Sequence, residues 1–502
     1  MRLNIFSIDK DNLPLLRTKL ASIGMSIIHS EDQSGWHCEF FYSDAPQPGE
    51  IEWVDTFASY FEELPQPKNV SYFAVYIFTK GYATYAISYG KSHFYLRQFC
   101  DHDFGVEAAK RLANELDIRQ TSSKRFAGKR RKDIKSFTSN TRLDVESGES
   151  VDYLQAAILG SNQEDFGKSG KFGSSALLSP DIVPSGIGVF LNRLDEELAK
   201  DPLFALPRTT IIPDGVESKK YDELLVEELL SGASDSEFTD NSYDLYGVDF
   251  VFPNGGKYRV YAPKYDEFKT DKLTIEDLRT YISEQNITKG DILGIKIAFE
   301  IEGQRKFTRG LKECLDYIVH DENVILSNGK WMSFNQDYID FLDEYLSGIN
   351  VEVTEDEFIE ITQKEGDFNA SEAIADQGYT NADKDFSKIK IKTNTPVEAW
   401  DLQKGESVYA LKFGPAQKLG YVCDQALAVL ELIRTRATAK KVPHFKNYVL
   451  WLGYETASKR LDSITSSRSL ILKQKVESWA RKCREIGIEP VIKISRKVPV
   501  KK

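Results

Sequence analysis

The chain is poor in the residues that several common chemistries need. Its 502 residues include five cysteines, six histidines and three methionines. Cys38, Cys100, Cys314, Cys423 and Cys483 are dispersed and form no Cys-x-x-Cys pair, which excludes a zinc cage and argues against a disulfide frame. The histidines stand at 29, 37, 93, 102, 320 and 444, too far apart in sequence to suggest a triad. There is no Gly-x-Ser-x-Gly elbow, and Gly255-Gly256 is not followed by Lys-Ser/Thr, so neither a nucleophile elbow nor a phosphate loop is expected. No apolar run reaches about 18 residues, so no membrane-spanning helix is expected. The first residues contain no apolar signal core, so the expected location is the cytoplasm. What remains is 41% hydrophobic and 12% aromatic, enough to bury real cores. The length predicts two to four domains.

The formal net charge is −12, and its distribution carries more information than its size. Residues 119–142 hold nine basic side chains and one acidic, a balance of +8. Residues 434–502 hold eighteen basic and five acidic, a balance of +13, which leaves −33 for the rest of the chain. Two basic patches on an acidic body suggest a charged partner such as a phosphate backbone, DNA or RNA. The first patch supplies the candidate nucleic-acid contacts: Lys124, Arg125, Lys129, Arg130, Arg131, Lys132 and Lys135.

Patterning predicts an α+β multidomain protein. Residues 1–117 read as a mixed α/β domain, with a strand at 2–7, a helix over 13–23, a hairpin of 72–79 and 82–89 turning at Lys80-Gly81, a further strand at 94–99 and a helix after Phe104-Gly105. Residues 118–186 are basic and polar and are expected to be a loop or insertion. Residues 187–350 read as a middle α+β domain. They include an acidic run at 231–244 and a capping box of Thr274 and Asp277 before a helix over 275–284. Residues 351–502 predict the order α-β-β-β-α-β-α-β. A hairpin turns at Gln403–Glu406, a helix covers 416–434, a buried strand covers 448–452, and Leu472, Val476, Trp479, Cys483 and Ile486 form one apolar helical face with the neighbouring cations outward.

One constellation in that last segment points to chemistry. Side chains alternate along a strand, so Val397, Ala399 and Asp401 share a face, as do Val408, Ala410 and Lys412 on the next strand. A hairpin can bring Asp401 and Lys412 near one another. Asp401 would hold Mg²⁺, with Glu365 from the preceding helix as a second ligand. Lys412 would orient the attacking water, and Gln425 on the following helix would touch substrate. His102, between Asp101 and Asp103, is a weaker metal candidate because no second cluster accompanies it.

With that order of elements and those residues, the C-terminal segment resembles the restriction-endonuclease-like, PD-(D/E)xK nuclease core. The resemblance implies a metal-dependent nuclease in which Asp401, Glu365, Lys412 and Gln425 form the site. The pattern has Glu or Asp at position 410, where this chain has Ala410. Phe104-Gly105, the stretch 326–331 (LSNGKW) with Phe334, Phe368-Asn369, Glu398-x-x-Asp401, Lys412 and Gln425, taken in order, resemble a sporadically distributed bacterial family of unknown function. That family is similar to cargo of genomic and defence islands, which implies an antiphage or mobile-element role. The alternative reading is a non-catalytic sensor or scaffold that binds nucleic acid or a phage or defence-system protein.

Overall fold

The computed structural model describes residues 1–43, 51–61, 68–125, 131–231, 249–250, 257–270, 273, 275–300, 307–319, 322–327, 329–382, 389–390, 396–397, 400–414, 416–434, 444–455, 460–467 and 469–498. It has helices and several sheets and divides into two compact units, residues 1–124 with 131–208 and residues 125–130 with 209–502. Among the described residues no helix is long and apolar enough to cross a membrane.

The first unit is built on one ten-stranded sheet. Its strands are β1 (Leu3–Ser7), β2 (Met25–Gln33), β3 (Trp36–Ser43), β4 (Ala74–Lys80), β5 (Ala83–Tyr89), β6 (Ala113–Arg125), β7 (Arg131–Thr141), β8 (Glu149–Ile158), β9 (Ser169–Phe172) and β10 (Ala176–Leu178), in the order β2-β3-β4-β5-β1-β10-β9-β8-β6-β7. The expected hairpin forms, but it turns at Gly81-Tyr82, one residue later than the pattern placed it, with Gly81 at φ 60°. Two helices, α1 (Leu13–Ser22) and α2 (Phe104–Leu112), pack on opposite faces of the sheet with α3 (Ile187–Leu198) beside α2. Gly105 lies so close to the carbonyls of Gly173 and Ser175 that a Cβ there would sit 2.3–2.4 Å from them.

Two expectations fail in this unit. Residues 118–178 are not a loop: they supply most of β6 and all of β7–β10, half of the strands in the sheet. Thr121, Ser122 and Ser123 are themselves buried, so the strand signal was hidden by hydroxyls rather than absent. Residues 93–96 are a helical turn and not a strand.

In the second unit, residues 209–334 carry a five-stranded and a four-stranded sheet over a core that includes Leu225, Leu278, Ile297 and Trp331. The helix Ile275–Glu284 falls where the pattern placed it; Thr274 and most of the acidic run lie outside the described residues. Helix α4 (Gln336–Ser347) leads into the C-terminal sheet. That seven-stranded sheet contains β11 (Asn350–Val351), β12 (Thr380–Asn381), β13 (Leu402–Lys404), β14 (Ser407–Gly414), β15 (Asn447–Glu455) and β16 (Glu489–Lys497), in the order β11-β16-β15-β14-β13-β12, with the two-residue strand Glu360–Ile361 pairing parallel to the end of β16 off that path. Pairs β12–β13 and β13–β14 are antiparallel, whereas β14, β15 and β16 run parallel. Parallel neighbours need crossovers. Helix α6 (Ala416–Arg434) supplies the first and α7 (Leu470–Glu485) the second, while the short α5 (Glu365–Asn369) precedes β12.

Alternation along the parallel strands divides the core into two layers. Val408, Ala410, Leu450, Leu452, Ile492 and Ile494 pack with Leu419, Val422 and Leu430 of α6 and Val476, Trp479 and Cys483 of α7. Tyr409, Leu411, Phe413, Val449 and Trp451 face the other way, onto Phe358, Phe368, Ile374 and Tyr379. A sheet covered on both faces explains why 448–452 reads as a continuous apolar run.

Candidate functional site

Strand β13 pairs with β14 only through residues 407–409, with Leu402 opposite Tyr409. Beyond that point the flank of β14 that faced β13 needs other partners. The Asp401 N–H donates to the Tyr409 carbonyl at 2.8 Å, and the Asp401 carboxylate accepts the Leu411 N–H at 2.6 Å. The Phe413 N–H donates to Oε1 of Glu365 at 2.8 Å. Residues 411 and 413 point their N–H groups to the same flank, so two carboxylates lie in file along it, about 6.7 Å apart by the strand rise. The Lys412 ammonium lies 2.9 Å from Oε2 of Glu365, and both side chains are about one-third exposed.

The surroundings fix this edge. The Phe413 ring occupies the space where a Cβ of Gly453 would be, 2.3 Å from Cδ1, so only glycine fits on β15 at that level. Phe368 of α5 packs on the Phe413 ring with centroids 5.1 Å apart, which anchors Glu365 four residues from Asn369 at the β14 end. Gly414 at φ 146° then turns the chain into α6.

Glu365 and Lys412 are therefore brought together, and Asp401 joins them on the same flank. Asp401 stands across from Ala410, about two residues short of Lys412, so the hairpin does not place these two side chains directly opposite. Gln425 is exposed, nine residues into α6, which puts it about 13 Å along the helix axis from its start beside β14. It does not join the group.

This donor set does not fit a resident Mg²⁺. Both Glu365 oxygens are engaged, one by a cation; an Asp401 oxygen holds the Leu411 N–H; and Ala410 offers no ligand where a third acid would stand. Among the described residues no group of three or more His, Cys, Asp or Glu side chains is placed to hold a metal. Asp103, beside His102, pairs instead with Arg208 at 2.7 Å.

The basic residues divide. Lys124 pairs with Asp152 at 2.9 Å and is 43% exposed; Lys135 lies 3.7 Å from Glu149. Arg125 is turned inward, buried against Glu477 at 3.1 Å, so it is unavailable to a backbone phosphate. Arg131 and Lys132 open β7, and Lys129 and Arg130 lie outside the described residues. On α7 the cations are neither all outward nor bare: Lys473 is buried, and Lys475, Arg481 and Lys482 are only partly exposed. Lys473 pairs with Asp343, Lys475 with Asp424, Arg481 with Glu477 and Lys482 with Glu431, while Arg484 packs over Tyr345. Among the described residues, these α7 cations are partnered within the fold.

A second cluster escaped the sequence reading. Lys493, wholly buried on β16, donates to Glu352 at 2.8 Å, to Glu355 at 2.6 Å and to the Tyr379 hydroxyl at 2.7 Å. Tyr409 donates to Glu352 at 3.0 Å, and Lys404 lies 3.3 Å from Glu355. Burial works to raise the Glu355 pKa, but bonds from Lys493, its own N–H and Tyr379 prevail and hold it at about 2. Burial and the neighbouring carboxylates push both tyrosines well above their ordinary range. All three ammonium hydrogens have partners, which marks a closed structural network. The sequence signal was a lysine between Ile492 and Ile494 in the buried middle of a strand.

The chain matches the Family of unknown function DUF6119 over residues 16–448. It belongs to that family. Glu365, Asp401, Lys412 and Gln425 all lie in the matched segment, whereas α7 and β16 follow it. Neither the curated proteins nor the solved structures give a match.

Proposed function

We propose that this DUF6119 chain is a nucleic-acid-directed protein of antiphage or mobile-element defence, whose C-terminal domain uses a nuclease-like scaffold to engage a phosphate backbone without cutting it. The observation that carries the reading is the flank of β14. In the order β12-β13-β14-α6-β15, Asp401, Glu365 and Lys412 collect on one strand end, as in a PD-(D/E)xK core, but Ala410 and the Lys412–Glu365 pair replace a complete metal set. The run Lys129–Lys132, which follows β6 in the sequence, supplies sequence-independent attraction. Five buried, unbridged cysteines fit the cytoplasm as its compartment.

The second reading is Mg²⁺-dependent cleavage, favoured by the shared placement of Asp401 and Glu365; it requires a third ligand from outside the described residues. One experiment separates the two. Purified protein is incubated with labelled DNA and RNA in Mg²⁺ or Mn²⁺, beside Asp401→Asn and Lys412→Ala. Salt-sensitive binding without divalent-dependent cleavage is expected. Cleavage that both variants abolish establishes the nuclease, and absence of binding at low salt rejects both readings.

A further inference from the structure

Glu365 holds two donors that would suit a phosphoryl oxygen. One is the Phe413 N–H, at 2.8 Å; the other is the Lys412 ammonium, at 2.9 Å. The donors come from consecutive residues of one strand: the Phe413 N–H is fixed by the backbone, and the Lys412 ammonium is brought beside it on its side-chain stem. They stand at the carboxyl end of a parallel strand beside its crossover helix, the place where open α/β sheets bind ligands. The backbone donor is rigid because the Phe413 ring is wedged over Gly453 and against Phe368. Both Glu365 and Lys412 are about 30% exposed, so a ligand in solution can reach the pair. The acid that covers these donors sits on a five-residue helix.

We infer that Phe413 N–H and Lys412 form a phosphate-binding cradle and that the Glu365 carboxylate occupies it as an internal stand-in for the anion. A phosphoryl group of nucleic acid, at a strand end or within the backbone, replaces Glu365 by accepting the same two hydrogen bonds. No covalent bond changes. Asp401, fixed on the Leu411 N–H one step along the flank, repels a second phosphate there and limits the cradle to one phosphoryl group. This inference deepens the proposed nucleic-acid reading and rests on it for the source of the phosphate, but the cradle itself can be tested without nucleic acid.

The full chain is titrated with inorganic phosphate by calorimetry and ³¹P NMR, in parent, Glu365→Ala, Glu365→Gln and Glu365→Ala/Lys412→Ala forms, each checked for an unchanged circular dichroism spectrum. Glu365→Ala should bind phosphate at least tenfold more tightly than the parent, and Lys412→Ala in the same chain should remove the gain. Glu365→Gln, which keeps the shape and loses the charge, should gain less than Glu365→Ala and serves if the alanine variant misfolds. No gain in either folded Glu365 variant, or a gain that survives loss of Lys412, overturns the cradle. A 5′-phosphorylated oligonucleotide compared with its unphosphorylated twin separates a strand end from the internal backbone. If the parent binds no nucleic acid while Glu365→Ala still gains phosphate affinity, the cradle stands and the nucleic-acid reading falls. If the parent binds nucleic acid and phosphate affinity is unmoved, the cradle alone falls.

Discussion

Nζ of Lys493 lies 2.6 Å from Oε2 of Glu355 and 2.8 Å from Oε1 of Glu352, with no part of the lysine exposed. The lysine is the counter-charge that lets two acidic side chains approach the sheet, and its stem packs under Trp451, whose ring centroid is 4.3 Å from Nζ. Lys493→Met removes the cation and keeps the volume. It removes the only buried cation in contact with both carboxylates among the described residues, leaving Glu355 with Lys404 and Tyr379 and Glu352 with Tyr409, and should lower the unfolding free energy by about 3 kcal/mol. Urea denaturation of parent and variant measures this; a loss below about 1 kcal/mol would show that the network is slack.

The same network gives a pH dependence with a defined sign. Glu355 is held at about 2 against an ordinary 4.5. A depressed carboxylate contributes stability that is fully present above the unfolded value and is lost as pH falls toward the folded one. The parent should therefore lose melting temperature between about pH 4.5 and pH 2. Glu355→Gln should start lower at pH 7 and decline less steeply across that window. Parallel curves would remove Glu355 as a source of the acid sensitivity.

The parts of the fold that were legible in sequence are those with one dominant period. The helix at 416–434, the helical face of Trp479 and Cys483 and the run 448–452 each bury a continuous set of apolar side chains, and each appears where expected. The strands of 118–178 were not legible because Ser and Thr fill buried positions there, so composition read as loop. For the site, element order suggested Lys412 beside Asp401, whereas its ion-pair partner is Glu365. The role of Asp401 as acceptor for the Leu411 N–H could not be anticipated, because it follows from where β13 leaves β14. Ion pairing of the basic C-terminal residues depends on acids far away in sequence, such as Asp343, 130 positions from Lys473, and Glu352, 141 positions from Lys493. Local charge counts do not see such pairs.

Arg125 and its neighbours in the basic run should behave differently. Arg125 faces Glu477, which is 1% exposed and also held by Arg481 at 2.6 Å. Arg125→Met leaves Glu477 with one fewer buried cation and should lower the melting temperature while leaving the salt dependence of nucleic-acid binding unchanged. Charge reversal of residues 129–132 should do the opposite, weakening binding across sequences and flattening the slope of log affinity against log salt. Melting curves and fluorescence anisotropy at several salt concentrations read the two effects separately. A flattened slope in Arg125→Met would contradict its inward orientation.

Asp401 gives the sharpest separation between structural and chemical roles. Its carboxylate takes the Leu411 N–H at 2.6 Å where β14 has lost its β13 neighbour, and its own N–H pairs with Tyr409. Asp401→Ala deletes that acceptor and leaves a backbone donor of a buried residue unpaired, which costs about 1–3 kcal/mol. Asp401→Asn retains a side-chain carbonyl at the same reach, so its cost should be clearly smaller. A residue that served only to hold a metal would show neither loss in metal-free buffer. The measurement is the denaturation midpoint of parent, Asp401→Asn and Asp401→Ala in the presence of chelator, with the slope of the transition held in common. A graded loss, largest in Asp401→Ala, is expected. Equal stability of all three would mean that the Leu411 bond contributes nothing and would return Asp401 to the nuclease reading.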